Sequence, residues 1–322
     1  MLESKREKTY RRMKAVLFVL LVIALTGCQG TPPPLRVGTN LWIGYDPIYL
    51  AKTLGYITEQ EVHLVEFTSA TESVRAYRNG LIDVAALTGD EVLRVCVTQG
   101  PQEVFLVCDW SNGADVLLSH PDISTIAELK GKRVGSETTA LGAYMLHRAL
   151  AQAQLTSADI EVVNVPLSRH TEAFLARDVD AIVTFEPHRT ELLKNGARNL
   201  FDSSMIPNEV IDVLIGRKDD SPILIQQRHR LVEAWLKGID FINKEPEKAA
   251  RLLSRRQSVK ENEVQELLSG IVLANAKENQ KLFERGAPEL NRLFEYLRKF
   301  MLEEGMLHDS PPLPDFVSVF SR

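Results

Sequence analysis

The sequence is poor in the residues that mark metal centres and disulfide frameworks. It has three cysteines in 322 residues and contains neither a CxxC pair nor an HExxH motif. Without such spacings a structural metal site has no basis in the sequence, and no cofactor is predicted. Cys96 and Cys108 lie inside apolar runs. We therefore expect buried free thiols, although an export compartment would permit a disulfide.

Long apolar runs and an excess of positive charge are also absent. The apolar run over residues 15–25 has 11 residues, whereas a helix that spans a bilayer needs about 17–25. The net charge is −5; the first 27 residues carry +4, so the rest carries −9. An acidic body argues against nucleic acid as a partner. With 44% hydrophobic and 25% charged residues, the chain has globular composition, and its length suits about two domains.

The N-terminal segment has the pattern of an export signal. A basic stretch precedes the apolar run, which ends in Leu25-Thr26-Gly27-Cys28 and resembles the bacterial lipoprotein processing box. The resemblance implies a signal peptide over 1–27, lipid on the thiol of Cys28 and a proline-rich tether over 28–34. A plain anchor helix with a chance cysteine is the alternative. Met13 is an alternative start, and the choice between inner and outer membrane stays open.

From residue 35 the chain alternates short apolar runs with amphipathic segments. Helix starts are marked by Asp46-Pro47 and by capping boxes that begin at Ser69, Thr88 and Thr125. This rhythm predicts α/β lobes, each with a mainly parallel sheet and helices on both faces, followed by C-terminal helices. The predicted strands cover residues 35–38, 62–67, 83–87, 104–108, 116–118, 132–136, 160–165, 179–184 and 210–216.

One internal echo indicates two similar lobes. The segment 69–90 runs from a Ser-led helix to a strand that begins at Asp83 and ends at Thr88. The segment 168–186 repeats that order with Asp180 and Thr184. An acidic residue follows each strand, so the pattern predicts related α/β units.

Ligands of open α/β sheets bind outside the carboxyl ends of the strands, where helix N-termini offer free N–H groups. Two facing lobes would form a cleft there. The turns that meet this description are 42–45, 69–71, 88–90, 109–111, 137–139, 168–170 and 186–188, together with Asp212.

Several of these residues also have a structural interpretation. Trp42 and Tyr45 could cover a lobe edge, and Asp90 is a helix cap whether or not it binds a ligand. Glu186 has the same two interpretations. His170 and His188 suit surface positions as well as ligand contacts, and Arg169 suits a solvated position as well as an anion site.

The order of motifs resembles one known family. Trp42-Ile43-Gly44-Tyr45-Asp46-Pro47, Gly113-Ala114-Asp115, residues 129–135, Glu186-Pro187 and Ile211-Asp212-Val213-Leu214 follow each other as in the nitrate/sulfonate/taurine-type substrate-binding proteins of ABC importers. That family also includes binders of thiamine-precursor pyrimidines. The resemblance implies a two-lobed type II periplasmic-binding-protein fold with two crossover strands. Residues 35–118 and 213–322 would form the first lobe, and 119–212 the second.

The resemblance also implies where the ligand contacts lie. Glu186-Pro187-His188 departs from the Trp-Asp-Pro of several sulfonate binders. Two acids, Glu186 and Asp212, would suit an amine or protonated heterocycle, whereas Arg169 would suit an anion. The predicted ligand-binding residues are Trp42, Gly44, Tyr45, Ser69, Thr88, Asp90, Asp109, Trp110, Thr138, Thr139, Arg169, Glu186, His188 and Asp212.

The expected function is solute capture without catalysis. A lipid-anchored receptor in the periplasm or at the cell surface would bind an amine, pyrimidine, sulfonate or similar solute and deliver it to an ABC permease. The alternatives are a sensor that signals to a membrane protein and an enzyme like the thiamine-pyrimidine synthases, whose cysteine-rich motif this sequence lacks. Trp42→Ala is expected to weaken binding at an unchanged melting temperature.

Overall fold

The computed structural model describes residue 10 and residues 32–137, 141–219 and 221–320. The signal and lipidation predictions, including Cys28, lie outside these ranges, as do Thr138 and Thr139. Contacts divide the chain into residues 1–34 and a compact unit over 35–322, and every element below belongs to the latter. The strands are β1 Leu35–Asn40, β2 Val62–Phe67, β3 Val84–Thr88, β4 Glu103–Ser111, β5 Val116–Ser119, β6 Arg133–Ser136, β7 Glu161–Asn164, β8 Ala181–Thr184, β9 Arg198–Asp202, β10 Ile211–Gly216, β11 Ile271–Leu273 and β12 Asp315–Phe316.

Eleven α-helices occur in the described part of residues 35–320, and short 3-10 turns join several of them to the strands. No helix in the described ranges is long and apolar enough to cross a membrane. The helices are α1 Asp46–Thr53, α2 Ala70–Arg78, α3 Gly89–Gln99, α4 Leu141–Gln152, α5 His170–Leu175, α6 His188–Lys194, α7 Pro222–Lys244, α8 Pro246–Gln257, α9 Glu261–Ser269, α10 Ala276–Phe283 and α11 Pro288–Glu303.

The strands form two sheets, which with their helices are called the first and second lobes. The first sheet has the order β11-β4-β10-β3-β1-β2, with β12 beside β4, and the second has the order β7-β6-β8-β5-β9. Both are mixed rather than mainly parallel. β1, β2 and β3 run parallel, as do β6, β7 and β8, whereas β10 and β5 run antiparallel to their neighbours. β5 and β10 are the first strands after the two crossings between the sheets, and β11 also runs antiparallel to its neighbour β4.

The predicted lobe boundaries need correction at both crossings. The sequence analysis puts residues 116–118 in the first lobe, but β5 pairs with β8 and β9 of the second sheet. It puts Asp212 in the second lobe, but β10 pairs with β3 and β4 of the first. A short apolar strand carries no signal that tells which sheet it joins.

The first sheet is buried on both faces, which explains its apolar strands. Val84 and Ala86 of β3 join the hydrophobic cluster that contains Ile48 of α1 and Trp235 of α7. Their neighbours Ala85 and Leu87 point the other way, into the cluster with residues of α3 and α11. Cys96 and Cys108 are buried free thiols, as predicted.

The similar segments 69–90 and 168–186 of the sequence correspond to a repeated structural element. Arg36 of β1 donates from its backbone N–H (3.0 Å) and from Nε (2.9 Å) to Asp83 Oδ2, and from Nη2 to Oδ1 (2.5 Å). Arg133 of β6 bonds Asp180 through the same three donors at 2.9, 3.2 and 2.9 Å. Both pairs span 47 residues and fix the start of the strand beside β1 or β6. The lobes therefore share one local architecture.

Two crossover segments, residues 112–115 and 203–210, join the sheets. Hydrogen bonds at the ends of these segments hold them together. The Oγ atoms of Ser111, the last residue of β4, and Ser203 are 2.7 Å apart, and Gly113 donates its backbone N–H to Ser203 Oγ (2.6 Å). Ser203 in turn donates its backbone N–H to the carbonyl of Asp115 (2.9 Å). Gly113 has a φ of +105°, which disfavours a side chain there.

The predicted helix starts at Asp46-Pro47, Ser69 and Thr88 are correct, but the prediction that Asp46 caps its helix is wrong. Ser69 Oγ accepts from the N–H of Glu72 (3.3 Å) at the start of α2, and Thr88 and Glu91 form the capping box of α3. Asp46 is the first residue of α1 rather than its cap. Its buried carboxylate instead accepts from Arg256 Nε (2.6 Å) and Gln257 Nε2 (2.9 Å) of α8. The carboxylate of Asp46, which the local sequence predicts to cap a helix, thus pairs with Arg256 from a distant part of the chain.

Candidate functional site

A cavity lies between the lobes at the carboxyl ends of the parallel strands. It contains about 570 Å³ of space that no atom fills, and part of this space is open solvent. The described residues that line it are Asn40, Trp42, Tyr45, Ala70, Thr88, Glu91, Asp115, Glu137, Leu141, Gly142, Met145, His170, Val183, Thr184, Phe185 and Asp212.

Trp42 and Tyr45 present aromatic surface to the cavity while their polar atoms bond buried acids. Trp42 Nε1 donates to the two carboxylate oxygens of Asp109 (3.2 and 3.3 Å). Tyr45 Oη donates to Asp212, which also lines the cavity. A Cβ on Gly44 would lie 2.0 Å from Asp109 Oδ2 and 2.5 Å from Trp42 Nε1. The predicted residue Gly44 therefore acts by leaving room for this pair.

The start of α3 contributes a second group of acids. Thr88 donates its hydroxyl to Asp90 Oδ1 (2.7 Å) and its backbone N–H to Glu91 Oε2 (3.0 Å). Thr88 and Glu91 line the cavity, whereas Asp90 lies behind them. Burial raises the pKa of Glu91 well above its usual value, and the nearby charge of Asp90 adds to the effect.

Asp115 brings a carboxyl group from the crossover segment itself. Its side chain is buried, and its Oδ2 has no hydrogen-bond partner in the described structure. Burial raises its pKa to about 7; the Ser111 hydroxyl opposes this rise, while Asp90 and Glu186 add to it. Burial likewise raises the pKa of Asp109 to about 8, against the Trp42 hydrogen bond. These groups lie where charge is costly unless a partner compensates it.

The second lobe supplies the opposite wall. Phe185 meets Trp42 edge-on, with ring centroids 5.6 Å apart. Glu137 Oε1 accepts a hydrogen bond from Thr71 Oγ1 of the first lobe at 2.6 Å. His170 lies between Thr184 Oγ1 (2.9 Å) and the carbonyl of Val165 (3.1 Å). Burial lowers its pKa to about 4, so its ring is neutral near pH 7.

Of the predicted ligand residues, Trp42, Tyr45, Thr88 and Asp212 line the cavity. Gly44, Asp90 and Asp109 lie behind that wall and support it. Ser69 caps α2, and its neighbour Ala70 reaches the cavity instead. Trp110 is half-buried and packs against a hydrophobic cluster.

The remaining second-lobe predictions lie away from the lining. Arg169 is 55% exposed and pairs with Glu172 (3.2 Å). Glu186 is buried but accepts from Arg189 Nη1 (2.7 Å) and from Thr190, and His188 Nδ1 is 2.8 Å from Thr171 Oγ1. Each of these side chains therefore has a partner within the second lobe.

Sequence reasoning did not select Glu91, Asp115 and Phe185 as ligand contacts. The sequence identifies Glu91 only as the last residue of a capping box, and it identifies Phe185 only as an apolar residue at the end of a strand. Asp115 belongs to one of the quoted motifs, but its segment has no periodicity that would place it in the cavity. The turn predicted after β8 begins at residue 186, one residue too late to include Phe185.

The site's chemistry is that of polar recognition between acidic and aromatic walls. In the described part of the chain no three His, Cys, Asp or Glu side chains are arranged to hold a metal ion. The lining combines four carboxyl groups, three aromatic rings and one neutral imidazole. Such groups can form hydrogen bonds and ring contacts with a small polar molecule.

Comparisons with known proteins agree with this fold. Over 184 residues, 55% of this chain and 57% of the relative, the sequence is 28% identical to the putative aliphatic sulfonates-binding protein of Escherichia coli K12. The alignment thus spans less than two thirds of that relative.

Solved structures are similar over a larger share of the chain. The alkanesulfonate-binding protein SsuA from Xanthomonas axonopodis pv. citri, bound to MOPS, superposes with a TM-score of 0.73 at 17% identity, over 90% of this chain and 99% of that one. The periplasmic aliphatic sulphonate binding protein SsuA from E. coli gives 0.68 at 19% identity, over 87% and 90%. These likenesses establish the periplasmic-binding-protein fold. The model of the NMT1-like family matches residues 29–255, most of both lobes, and the chain therefore belongs to the NMT1-like family.

Proposed function

We propose that the protein is a non-catalytic receptor that captures a small polar solute between its lobes and delivers it to an ABC permease. The observation that carries the proposal is the cavity, whose walls come from both lobes and meet at two crossover segments. A ligand that touches both walls favours the closed arrangement over any open one, because only the closed lobes supply all of its contacts.

Three further observations support this proposal. The E. coli relative and the two SsuA structures described above are named as sulfonate-binding proteins. The crossovers are short and joined by a few hydrogen bonds, as a hinge requires. The cavity carboxyls and rings suit binding, and the aromatic pair Trp42–Phe185 already joins the lobes.

Native mass spectrometry of the full chain, purified without refolding, tests the proposal. We expect a co-purified small molecule, or a compound among amines, pyrimidines, sulfonates and nitrate that raises the melting midpoint by several degrees. Ligand binding stabilises the folded state by an amount that grows with ligand concentration. Chemical turnover of the bound molecule would contradict a non-catalytic receptor.

We further propose that lipid on Cys28 holds the receptor at the outer face of a membrane, in the periplasm or at the cell surface. The support is the basic segment, the short apolar run and the Leu25–Cys28 box. Wild type should partition into the detergent phase of a temperature-induced phase separation, and Cys28→Ser should not. Equal partitioning of the two proteins would contradict the anchor.

A further inference from the structure

The cavity wall has acidic groups and no basic counterpart. Four carboxyl groups line it, and no lysine or arginine is present among its described lining residues. Asp90 and Asp109 form a second acidic layer directly behind. The cation that meets this layer is Arg94, whose Nε lies 3.8 Å from Asp90 Oδ2. The wall therefore presents negative or protonated carboxyl groups to whatever enters.

Two of the lining carboxyls have an oxygen that nothing in the described structure satisfies. They are Asp115 Oδ2 and Glu91 Oε1, and both residues are 2% exposed. A buried carboxyl oxygen without a donor is costly, by about 1–3 kcal/mol or more for a charged group. A ligand with N–H donors would satisfy these atoms, whereas a ligand with only acceptor oxygens would not.

Several donors at the helix starts near the cavity already have acceptors from the chain itself. At the start of α3 the N–H of Thr88 donates to Glu91, and at the start of α2 the N–H of Glu72 donates to Ser69. The hydroxyl of Thr71 donates to Glu137. Donors of this kind would hold a sulfonate, but here three of them are engaged by the protein's own oxygens.

The aromatic residues of the wall favour a positive ligand for a separate reason. Trp42, Tyr45 and Phe185 line the same cavity, and the faces of such rings attract cations. A carboxylate on one side and ring surface on another match an organic cation with a hydrocarbon body. The faces of the same rings do not attract the negative charge of a sulfonate.

We propose that the solute is a small organic cation, a protonated amine or amidine whose N–H groups bond Asp115 and Glu91 while its hydrocarbon part packs on Trp42 and Phe185. This assignment rests on the proposed function and names the class of its ligand. It differs from the sulfonates after which the compared proteins are named.

The test uses pairs of probes that share a hydrocarbon group and differ in charge. Calorimetric titration of the full chain would compare benzylamine with phenylmethanesulfonate, and butylamine with butanesulfonate, at pH 7.5. We expect at least one amine to bind at least tenfold more tightly than its sulfonate partner. A sulfonate that binds more tightly than its amine would overturn the cation assignment and leave the receptor proposal standing. No binding in either series, with no co-purified molecule, would count against both.

A variant that removes the charge of Asp115 tests whether this residue binds the amine. Asp115→Asn keeps the shape of the side chain and should weaken the amine at least tenfold, because one carboxylate oxygen becomes an amide donor. Asp240→Asn is the matched control, since Asp240 lies exposed on α7 and pairs with Lys244; it removes the same charge and should leave the affinity unchanged. Equal affinity of wild type and Asp115→Asn would overturn the assignment, and unchanged secondary structure of the variant by circular dichroism would exclude misfolding as the cause.

Discussion

Trp42 shows how one side chain serves both the core and the cavity. It is 5% exposed, belongs to a hydrophobic cluster and also lines the cavity. We therefore expect Trp42→Ala to lower the melting temperature, unlike the prediction made from the sequence alone. Removing a buried tryptophan costs about 3–5 kcal/mol, so this variant cannot separate binding from stability, and its neighbours are better probes.

Gly44→Ala should disturb the Trp42–Asp109 hydrogen bond without removing either partner. The new methyl group would lie 2.0 Å from Asp109 Oδ2, so the carboxylate or the indole must move. We expect weaker ligand binding, a lower melting midpoint and a shift in tryptophan emission. Wild-type emission and affinity in the alanine variant would show that the site tolerates the methyl group.

The buried acids predict how stability changes with pH. The folded-state pKa of Asp115 is raised to about 7 and that of Asp109 to about 8, both above an unfolded value near 4. Their neutral forms favour the fold, so the stability present at low pH is lost as pH rises through these values. His170, with its pKa lowered to about 4, is neutral in both states above about pH 7 and adds no slope there.

Thermal melts of the ligand-free protein at pH 6.5, 7.5 and 8.5 would measure this loss. Asp115 alone should contribute about 1 kcal/mol across the window, because the slope of about 1.4 kcal/mol per pH unit acts only up to the folded pKa of about 7. The midpoint should fall by several degrees, and by less in Asp115→Asn. The same slope in both proteins would contradict a raised pKa at this residue.

At the scale of elements, the repeated Arg–Asp pairs join the start of one strand to the next in each lobe. The pairs Arg36–Asp83 and Arg133–Asp180 use the same donors and the same separation of 47 residues. The sequence analysis identified the two aspartates as the starts of strands, but it did not identify the arginines that bind them. The pattern of residues in a strand does not show which residue of another strand a charged side chain contacts.

Asp83→Asn and Asp180→Asn should therefore destabilise the protein by similar amounts, about 1–2 kcal/mol each, because bidentate pairs with an added backbone bond exceed ordinary surface pairs. Urea unfolding would measure both. Asp240→Asn, which breaks an exposed pair within one helix, should cost close to nothing. If only one of the two variants lost stability, the two Arg–Asp pairs would not have equivalent roles.

Much of this level was predictable from local chemistry. The caps at Ser69 and Thr88, the alternation of strands and helices and the two-lobed fold follow from short patterns. The sheet to which β5 belongs, the partner of Asp46 and the depth of Asp115 do not, because each depends on residues that are distant along the chain. The cavity residues Trp42 and Asp212 could be selected from their place at strand ends, whereas Arg169, selected in the same way, lies exposed on the far side of its turn.

At the scale of the molecule, the lobes meet through specific contacts on either side of the cavity. Thr71–Glu137 and Trp42–Phe185 join the walls, and Lys194 Nζ lies 2.6 Å from Glu263 Oε1 between α6 and α9. Tyr144 of the second lobe packs edge-on against Phe300 of the first, with centroids 5.3 Å apart. These contacts describe a closed arrangement.

Thr71→Val should favour the open arrangement, since it removes the hydroxyl that donates across the lobes to Glu137. A hydrogen bond to a charged group is worth about 1.5–3 kcal/mol, so we expect about tenfold weaker ligand binding through faster release. Stopped-flow fluorescence would measure the release rate. Thr68→Val is the matched control, because Thr68 Oγ1 donates to Glu72 at the same 2.6 Å distance within the first lobe. Equal effects of the two variants would contradict a role in closure.

The cavity wall comes from strand ends, from the turns that follow strands and from helix starts, while the strand interiors carry the core. A substitution in a turn such as 115 or 185 can therefore change the sign of the charge that the wall prefers without altering any strand register. Two proteins could in this way differ in the molecules they bind while they keep the same fold. In proteins of this architecture a shared fold therefore indicates similar sheets and crossovers, whereas the class of ligand depends on a few residues of the cavity wall.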